Sequence, residues 1–234
     1  MRAHWALHEL SLPYETNRIL SRSGETQTAE YTVINPRQEI PLLQDDDISV
    51  AESGAIVLYL AEIYGERNPQ LIPAGKRDRA RWLEWNSFIT MELDAISLYV
   101  VRRHSLLSHI CGEAPAAVES SRAYFTKQIA YVDQMLCNTQ YLMGDNFTTA
   151  DILLTTCLTW ATALQIPVPG RCRAYVERVT ARDAYKSALP RMHAKIPERA
   201  GPLARFPPGR CREQSPQRAV VQRDRITLAF HRKL

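Results

Sequence analysis

The chain has 234 residues, of which 45% are apolar and 23% are charged. These proportions are those of a folded globular protein, and they exclude a largely disordered chain, a collagen-like chain and a coiled coil. No stretch approaches the ~18 consecutive apolar residues of a membrane-spanning helix, and the first residues carry no secretory signal segment. The five cysteines are widely spaced, without a C-x-x-C pair. We therefore expect reduced thiols, a cytoplasmic location and no membrane partner.

The formal net charge of +4 is unevenly distributed along the chain. Residues 191–234 carry 11 Lys and Arg against three Asp and Glu, a net charge of +8, so the remainder is mildly acidic. This segment also contains five prolines, and we predict that it is a disordered basic tail, interrupted by one short apolar run, Ile226–Phe230. Basic tails can bind nucleic acid, but this one offers few aromatic rings for base stacking, so we favour a solvated segment.

The first 72 residues show apolar spacings that alternate between those of a helix and those of a strand. A stripe at Ala3, Ala6, Leu7 and Leu10 predicts a first helix, which ends before Pro13. Residues 14–20 then read as a strand, residues 29–34 as a short helix and residues 40–50 as a hairpin. A further helix begins at Ser53 and ends before Gly65.

Beyond residue 76 only helical spacings remain. Four helices are predicted from stripes in residues 85–100, 125–136, 153–164 and 172–179. Thr148 and Asp151 form a capping box that begins the third of these helices. We therefore predict an α/β domain at residues 1–68, a linker at 69–76 and an all-α helical bundle at 77–190.

Two places in the first domain are candidates for ligand binding. A cis bond at Ile40-Pro41 would turn the backbone of Ile40 outward to pair with an extended peptide, although a trans bond is favoured because only about 5–6% of X-Pro bonds are cis. Glu52 and Ser53 precede a helix, where serine is usually a cap. The alternative is that Ser53 and the helix N-terminus bind a carboxylate while Glu52 binds the adjacent ammonium group. His4 and His8 lie one turn apart without a third ligand, so we expect surface histidines and no metal.

Four segments together resemble the cytosolic glutathione transferases: residues 5–15, 31–43, 52–60 and 144–151. The likeness extends over about residues 1–190. It implies a thioredoxin-like N-terminal domain followed by an all-α domain, usually as a homodimer, with glutathione as co-substrate and a small electrophile as its partner. By the same resemblance, Ile40 and Pro41 bind the cysteinyl part of glutathione, and Glu52 and Ser53 bind its γ-glutamyl end.

The chain departs from this family pattern at two places. The family places a strand and a catalytic Ser, Cys or Tyr before the first helix, whereas here that helix begins the sequence and the nearest hydroxyls, Ser11 and Tyr14, follow it. We therefore expect a truncated sheet with one exposed position and an unknown catalytic residue. Where many relatives carry Gly and Lys, this chain has Gln38 and Glu39, and Glu39 would repel the glycyl carboxylate.

Two functions remain open from the sequence. The first is a glutathione transferase that conjugates the glutathione thiolate to small electrophiles, with variable side chains such as Tyr99, Arg102, Arg103 and Trp160 lining the electrophile site. The alternative is a catalytically impaired or inactive protein that uses the same fold for interaction or dimerisation.

Overall fold

The computed structural model describes residues 1–20, 24–193 and 226–230. The first part of the chain forms α1 (Arg2–Glu9), β1 (Glu15–Arg18), α2 (Ala29–Ile34), the hairpin strands β2 (Leu42–Asp45) and β3 (Ile48–Ala51), and α3 (Ser53–Tyr64). Short 3₁₀ turns at Glu25–Gln27, Gly65–Arg67 and Pro69–Leu71 connect them. The order of helices and strands is the one that the apolar spacings predict.

The second part is helical throughout. It comprises α4 (Lys76–Phe88), a π-helix (Ile89–Leu98), α5 (Tyr99–His104), α6 (Ser108–Cys111), α7 (Pro115–Met135), α8 (Thr149–Ala163), α9 (Gly170–Thr180) and α10 (Asp183–His193). The first three follow one another without a break, so they form one long helix whose middle is wider than an α-helix. Wide turns of this kind are rare and often lie at functional sites.

A last strand, β4 (Ile226–Phe230), completes a four-stranded sheet of order β1-β4-β2-β3. It is parallel to β1 and antiparallel to β2, and it pairs with both along its length. The prediction of disorder is therefore wrong for residues 226–230, and the expected exposed sheet position is filled. Ile226, Leu228 and Phe230 are buried, which explains why this run is ordered despite its basic, proline-rich surroundings. The rest of the predicted tail beyond residue 193 lies outside the described residues.

The two faces of β4 contribute to two hydrophobic clusters, because successive side chains of a strand point to opposite faces. Leu228 packs in the main core together with Leu7 of α1. Ala229 packs on the other face with Ile19 and Tyr31. The far end of the sequence is thus built into both faces of the N-terminal sheet.

The predicted capping box at the start of α8 is confirmed. The side chains of Thr148 and Asp151 each bond to the other's backbone, and Asp151 is fully buried. Its carboxylate also accepts hydrogen bonds from the Leu142 N–H at 2.9 Å and the Tyr175 hydroxyl at 2.7 Å. Burial raises the pKa of Asp151 in spite of these bonds. The helix start is therefore tied to the neighbouring loop and to α9.

Within the described ranges, none of the helices is long and apolar enough to cross a membrane. These ranges contain four cysteines, of which Cys157 and Cys172 are buried.

Candidate functional site

Several chain ends meet at one edge of the sheet. The start of β2 at Leu42 pairs with Ala51 at the end of β3 and with Ala229 near the end of β4. Phe230 ends β4 level with Arg18 at the end of β1. The Ile40-Pro41 bond, Glu52 and Ser53 therefore lie along the same edge, each one or two residues outside a strand.

The Ile40-Pro41 peptide bond is cis, whereas the general frequency of X-Pro bonds favours trans. The loop before it is held by Tyr31 and Asn35, whose hydroxyl and side-chain amide both donate to the Glu39 carbonyl at 2.7 Å. Ile40 is half-buried and lies outside the ladder that begins at Leu42. Its backbone therefore lies just before the first residue of β2, beyond the paired ladder, where an extended peptide could pair with it.

Glu52 adopts a left-handed backbone conformation, with φ at 67° and ψ at 122°. Such a conformation costs a non-glycine residue about 1–3 kcal/mol and is found preferentially at ligand sites. The Glu52 carboxylate pairs with Arg37 at 2.7 Å, and both side chains are more than half exposed. A surface pair of this kind contributes at most about 1 kcal/mol, so Glu52 can exchange it for a ligand ammonium group.

Ser53 begins α3, and its hydroxyl contacts a buried arginine of α1. The Arg2 guanidinium donates to Ser53 Oγ at 3.1 Å and to Asp94 Oδ2 at 2.5 Å. It also donates to Thr156 Oγ1 at 2.7 Å and to Cys157 Sγ at 3.1 Å, both on α8. One side chain thereby joins the N-terminal sheet domain to the π-helix and to α8.

Arg2 gives this part of the site its positive charge. Burial lowers the pKa of Arg2, but Asp94 and Cys157 raise it by more, so its pKa lies above the ordinary value and the guanidinium stays charged. The first backbone N–H groups of α3 add the positive end of the helix dipole at the same place. Sequence patterns place Arg2 on the first helix but do not identify its contacts with Ser53 and Asp94, because these residues are 51 and 92 positions away.

Close helix packing lies behind Ser53. A Cβ added at Gly54 would come within 3.2 Å of Thr90 Cγ2 on the π-helix. This close approach brings the start of α3 against the π-helix that carries Asp94. A side chain at position 54 would therefore require Thr90 to shift by a few tenths of an ångström.

Gln38 and Glu39, which depart from the family pattern, lie in the loop before the cis bond. Gln38 has a positive φ of 57°, a conformation that glycine adopts more easily, and its side chain donates to Thr32 Oγ1 at 3.0 Å. Glu39 is exposed. The structure thus explains why glycine suits position 38, and it leaves the Glu39 carboxylate free to act on a nearby anion.

The two histidines of α1 both approach the Tyr14 hydroxyl. His4 is buried and bonds through Nδ1 to the Tyr14 hydroxyl at 2.9 Å, so the expectation of a surface histidine is wrong for His4. His8 is half-buried and approaches the same hydroxyl at 3.4 Å. The part of the chain that the structure describes contains no group of three His, Cys, Asp or Glu side chains with metal-binding geometry. Burial raises the pKa of Tyr14 to about 12.

The sequence matches two family profiles. Residues 1–62 match "Glutathione S-transferase, N-terminal domain", and residues 88–183 match "Glutathione S-transferase, C-terminal domain". The chain therefore belongs to the glutathione S-transferase family and is a glutathione transferase-like protein, with a thioredoxin-like domain followed by a helical one.

Known members show the same relationship. Glutathione S-transferase GstB of Escherichia coli K12 is 29% identical over 195 residues, which cover 78% of this chain and 88% of GstB. A theta class glutathione S-transferase from Xanthomonas axonopodis pv. citri, solved with glutathione bound, is 25% identical, with a TM-score of 0.70 over 80% of this chain and 89% of that one. A ternary complex of BphK, a bacterial member, is 28% identical, with a TM-score of 0.69 over 80% and 92% of the two chains.

Proposed function

We propose that this protein binds glutathione at the sheet edge described above and presents its thiol to a small electrophile. The observation that supports this proposal is the cis Ile40-Pro41 bond, which lies on the same edge as Glu52 and Ser53. A γ-glutamyl peptide could use all three features of this edge: the backbone of Ile40, the start of α3 at Ser53 and the Glu52 carboxylate. The relatives named above include one with glutathione bound.

In this proposal the γ-glutamyl end is recognised by charge. Its carboxylate accepts from the Ser53 hydroxyl and the first N–H groups of α3, and Arg2 behind Ser53 strengthens the positive field there. Its ammonium group is bound by Glu52, with Asp94 adding negative charge on the other side of Arg2. Ile40 and Pro41 hold the cysteinyl part through the Ile40 backbone.

The electrophile lies, in this proposal, against the helical domain. Trp160 is one turn beyond Thr156 on α8, and Arg102 lies over the Trp160 ring with its Cζ 6.0 Å from the ring centre. Both side chains are half-buried. An aromatic wall with a neighbouring cation suits a planar, electron-poor electrophile.

We also propose a cytoplasmic homodimer with domain limits at residues 1–68 and 77–190. Support for the dimer comes from exposed large apolar side chains on α3, α4 and the π-helix: Ile63, Leu83, Met91 and Ile96. Light scattering of the purified chain tests the dimer, and a monomer at micromolar concentration would refute it.

Calorimetric titration of glutathione into the full chain tests the ligand assignment. Ser53→Ala removes one charge-assisted hydrogen bond, so we expect the affinity to fall about 5- to 30-fold, or ~1–2 kcal/mol. Ser49→Ala, in the exposed part of β3, is the matched control and should bind as the unmodified chain does. Equal affinities of all three proteins would refute the roles of Ser53 and the helix start.

A second candidate function is glutathione binding without conjugation, in an interaction protein. The observation that favours it is the Tyr14 hydroxyl, which follows α1 in sequence and bonds to His4, with its pKa raised to about 12. A hydroxyl in this state is a poor stabiliser of a thiolate. Retention on glutathione resin without turnover of an electrophile would support this second function.

A further inference from the structure

β4 comes from the far end of the sequence but lies between two strands of the N-terminal domain. It runs parallel to β1 from Glu15↔Thr227 to Arg18↔Phe230 and antiparallel to β2 from Leu42↔Ala229 to Asp45↔Ile226. Two adjacent parallel strands with a helix between them normally form one continuous βαβ unit. Here α1 is the helix and β1 is the second strand. The place of the first strand is taken by β4, which lies more than 200 residues further along the sequence.

The N-terminal sheet depends on this strand. Within the described residues, β4 is the strand with which β1 pairs, and it connects β1 to the β2–β3 hairpin. Leu228 is fully buried against the main core, and Ala229 is buried on the opposite face. Without β4, β1 would be separated from β2, and both strands would lose a row of backbone partners.

The end of β4 lies at the proposed glutathione site. The Leu42↔Ala229 pair is the last in the ladder, and the next residues along the two strands are Pro41 and Phe230. Phe230 accepts a hydrogen bond from the Ile19 N–H at 3.0 Å. Its ring also stands edge-on to His4 of α1, with the ring centres 4.4 Å apart. β4 therefore supports both the strand that follows the cis bond and the helix that carries Arg2.

We propose that β4 is a detachable component of the glutathione site, so that docking of this strand and binding of glutathione stabilise each other. The inference rests on the proposed function. In the structure the strand occupies the sheet of its own chain, and α10, the preceding described element, packs against α1 and ends at His193. A ligand that contacts the edge formed by β2 and β4 then favours the docked state, by the reciprocity that links any two coupled equilibria.

A designed disulfide tests the docking in the intact chain. Gln44 and Thr227 are direct partners across β2 and β4, and both are half-buried. Antiparallel partners have Cα separations of about 4.5–5.5 Å, within the range of a disulfide. Gln44→Cys with Thr227→Cys should therefore cross-link within one chain under mild oxidation.

The matched control moves one cysteine by one strand. Ser49 is the partner of Gln44 on β3, so Ser49→Cys with Thr227→Cys places the thiols two strands apart, about 9–10 Å, on the same face of the sheet. This pair should stay reduced. Equal cross-linking of both pairs would overturn the docked position, and cross-linking of the first pair only between chains would overturn donation by the same chain.

Hydrogen exchange tests the coupling in the unmodified chain, with S-hexylglutathione as a ligand that has no free thiol. If binding requires a docked strand, ligand at 100 times its Kd lowers the undocked population about 100-fold. Amides of Ile226–Phe230 should then exchange about 100-fold more slowly. In the free chain these amides should exchange faster than the buried amides of Ile152 and Leu153 in α8, which open only on global unfolding and are slowed by the ligand to the same extent. Equal exchange rates of the two groups in the free chain would show that β4 leaves the sheet only when the whole protein unfolds.

The outcomes distinguish a failure of the proposed coupling from a failure of the proposed function. Bound S-hexylglutathione with unchanged exchange of Ile226–Phe230 would refute the coupling and leave the proposed function intact. Failure of the unmodified chain to bind S-hexylglutathione would refute the proposed function and the coupling with it. The cross-linking result, which needs no ligand, would still decide where β4 lies.

Discussion

His4 gives this protein a predictable dependence of stability on pH. Its side chain is 1% exposed, bonds through Nδ1 to the Tyr14 hydroxyl and faces Phe230 edge-on. Nε2 is buried without a hydrogen-bond partner among the described residues. Burial, reinforced by the positive charges of His8 and Arg191, lowers the pKa of His4 to about 3. The folded protein therefore keeps this imidazole neutral at any pH above that value.

The direction of the effect follows from proton uptake on unfolding. In the unfolded chain His4 titrates near its ordinary pKa of about 6.5, so between pH 6.5 and 3 the unfolded state binds one more proton than the folded state. Stability is therefore retained above pH 6.5 and falls as the pH decreases through this window. With about 1.4 kcal/mol per pKa unit, His4 alone lowers the free energy of unfolding by about 2 kcal/mol between pH 7 and pH 5.

Urea unfolding followed by tryptophan fluorescence at pH 7 and pH 5 measures this change. His4→Gln removes the titrating group, so its free energy of unfolding should fall by about 2 kcal/mol less than that of the unmodified chain over the same interval. His109→Gln, on an exposed histidine, is the matched control and should keep the full pH dependence. Identical pH dependence in His4→Gln and the unmodified chain would show that His4 is not held neutral by burial.

Three further predictions concern the helix start, the glycyl end and the chemistry. Asp151→Ala leaves the Leu142 N–H, the Thr148 N–H and the Tyr175 hydroxyl without their acceptor. The free energy of unfolding should therefore fall by about 3 kcal/mol or more, and calorimetry should show a Tm lower by roughly 6–12 °C. Asp145→Ala, at an exposed residue, is the control and should change neither quantity. Glu39→Lys should tighten glutathione binding by about 2- to 5-fold at low ionic strength and lose this gain in 1 M salt, with Glu30→Lys as an unaffected control. Under the second candidate function, binding without conjugation, turnover of glutathione with chlorodinitrobenzene should be weak or absent, because a free thiol has a pKa of about 8.5 and needs a donor to form the thiolate. Robust turnover would show that an unidentified group activates the thiol.

Local signals in the sequence were sufficient for the hairpin and for most of the helices, but not for α6 and α10. The start of α8 was predictable because Thr148 and Asp151 determine it within one turn of helix. The start of α3 at Ser53 was also predicted, but the expected serine cap is not formed: the N-cap residue is Glu52, and the Ser53 hydroxyl accepts from Arg2. The capping interactions that mark such starts are made within three or four residues, so the sequence displays them directly.

Long-range contacts could not be predicted in this way. Arg2 joins Ser53 to Thr156 and Asp94, and nothing near Arg2 in the sequence marks it as a site residue. The run Ile226–Phe230 has the composition of a strand, but its basic and proline-rich surroundings indicated disorder. What decides its structure is its position between β1 and β2, and those partners lie far from it in the sequence.

The balance of forces on β4 explains why its docking can respond to a ligand. Fixing the five residues of β4 costs about 1–2 kcal/mol each, and bringing the strand back to the N-terminal domain adds a chain-entropy cost of a few kcal/mol. Burial of Ile226, Leu228 and Phe230 returns about 1.5–3 kcal/mol for each side chain, and backbone hydrogen bonds on both sides add about 1 kcal/mol each. The opposing contributions differ by only a few kcal/mol. A ligand at 100 times its Kd contributes about 2.7 kcal/mol, which is comparable with that difference. If glutathione binds at the edge where β2 and β4 meet, as proposed, we expect glutathione at 100 times its Kd to shift the docking equilibrium of β4.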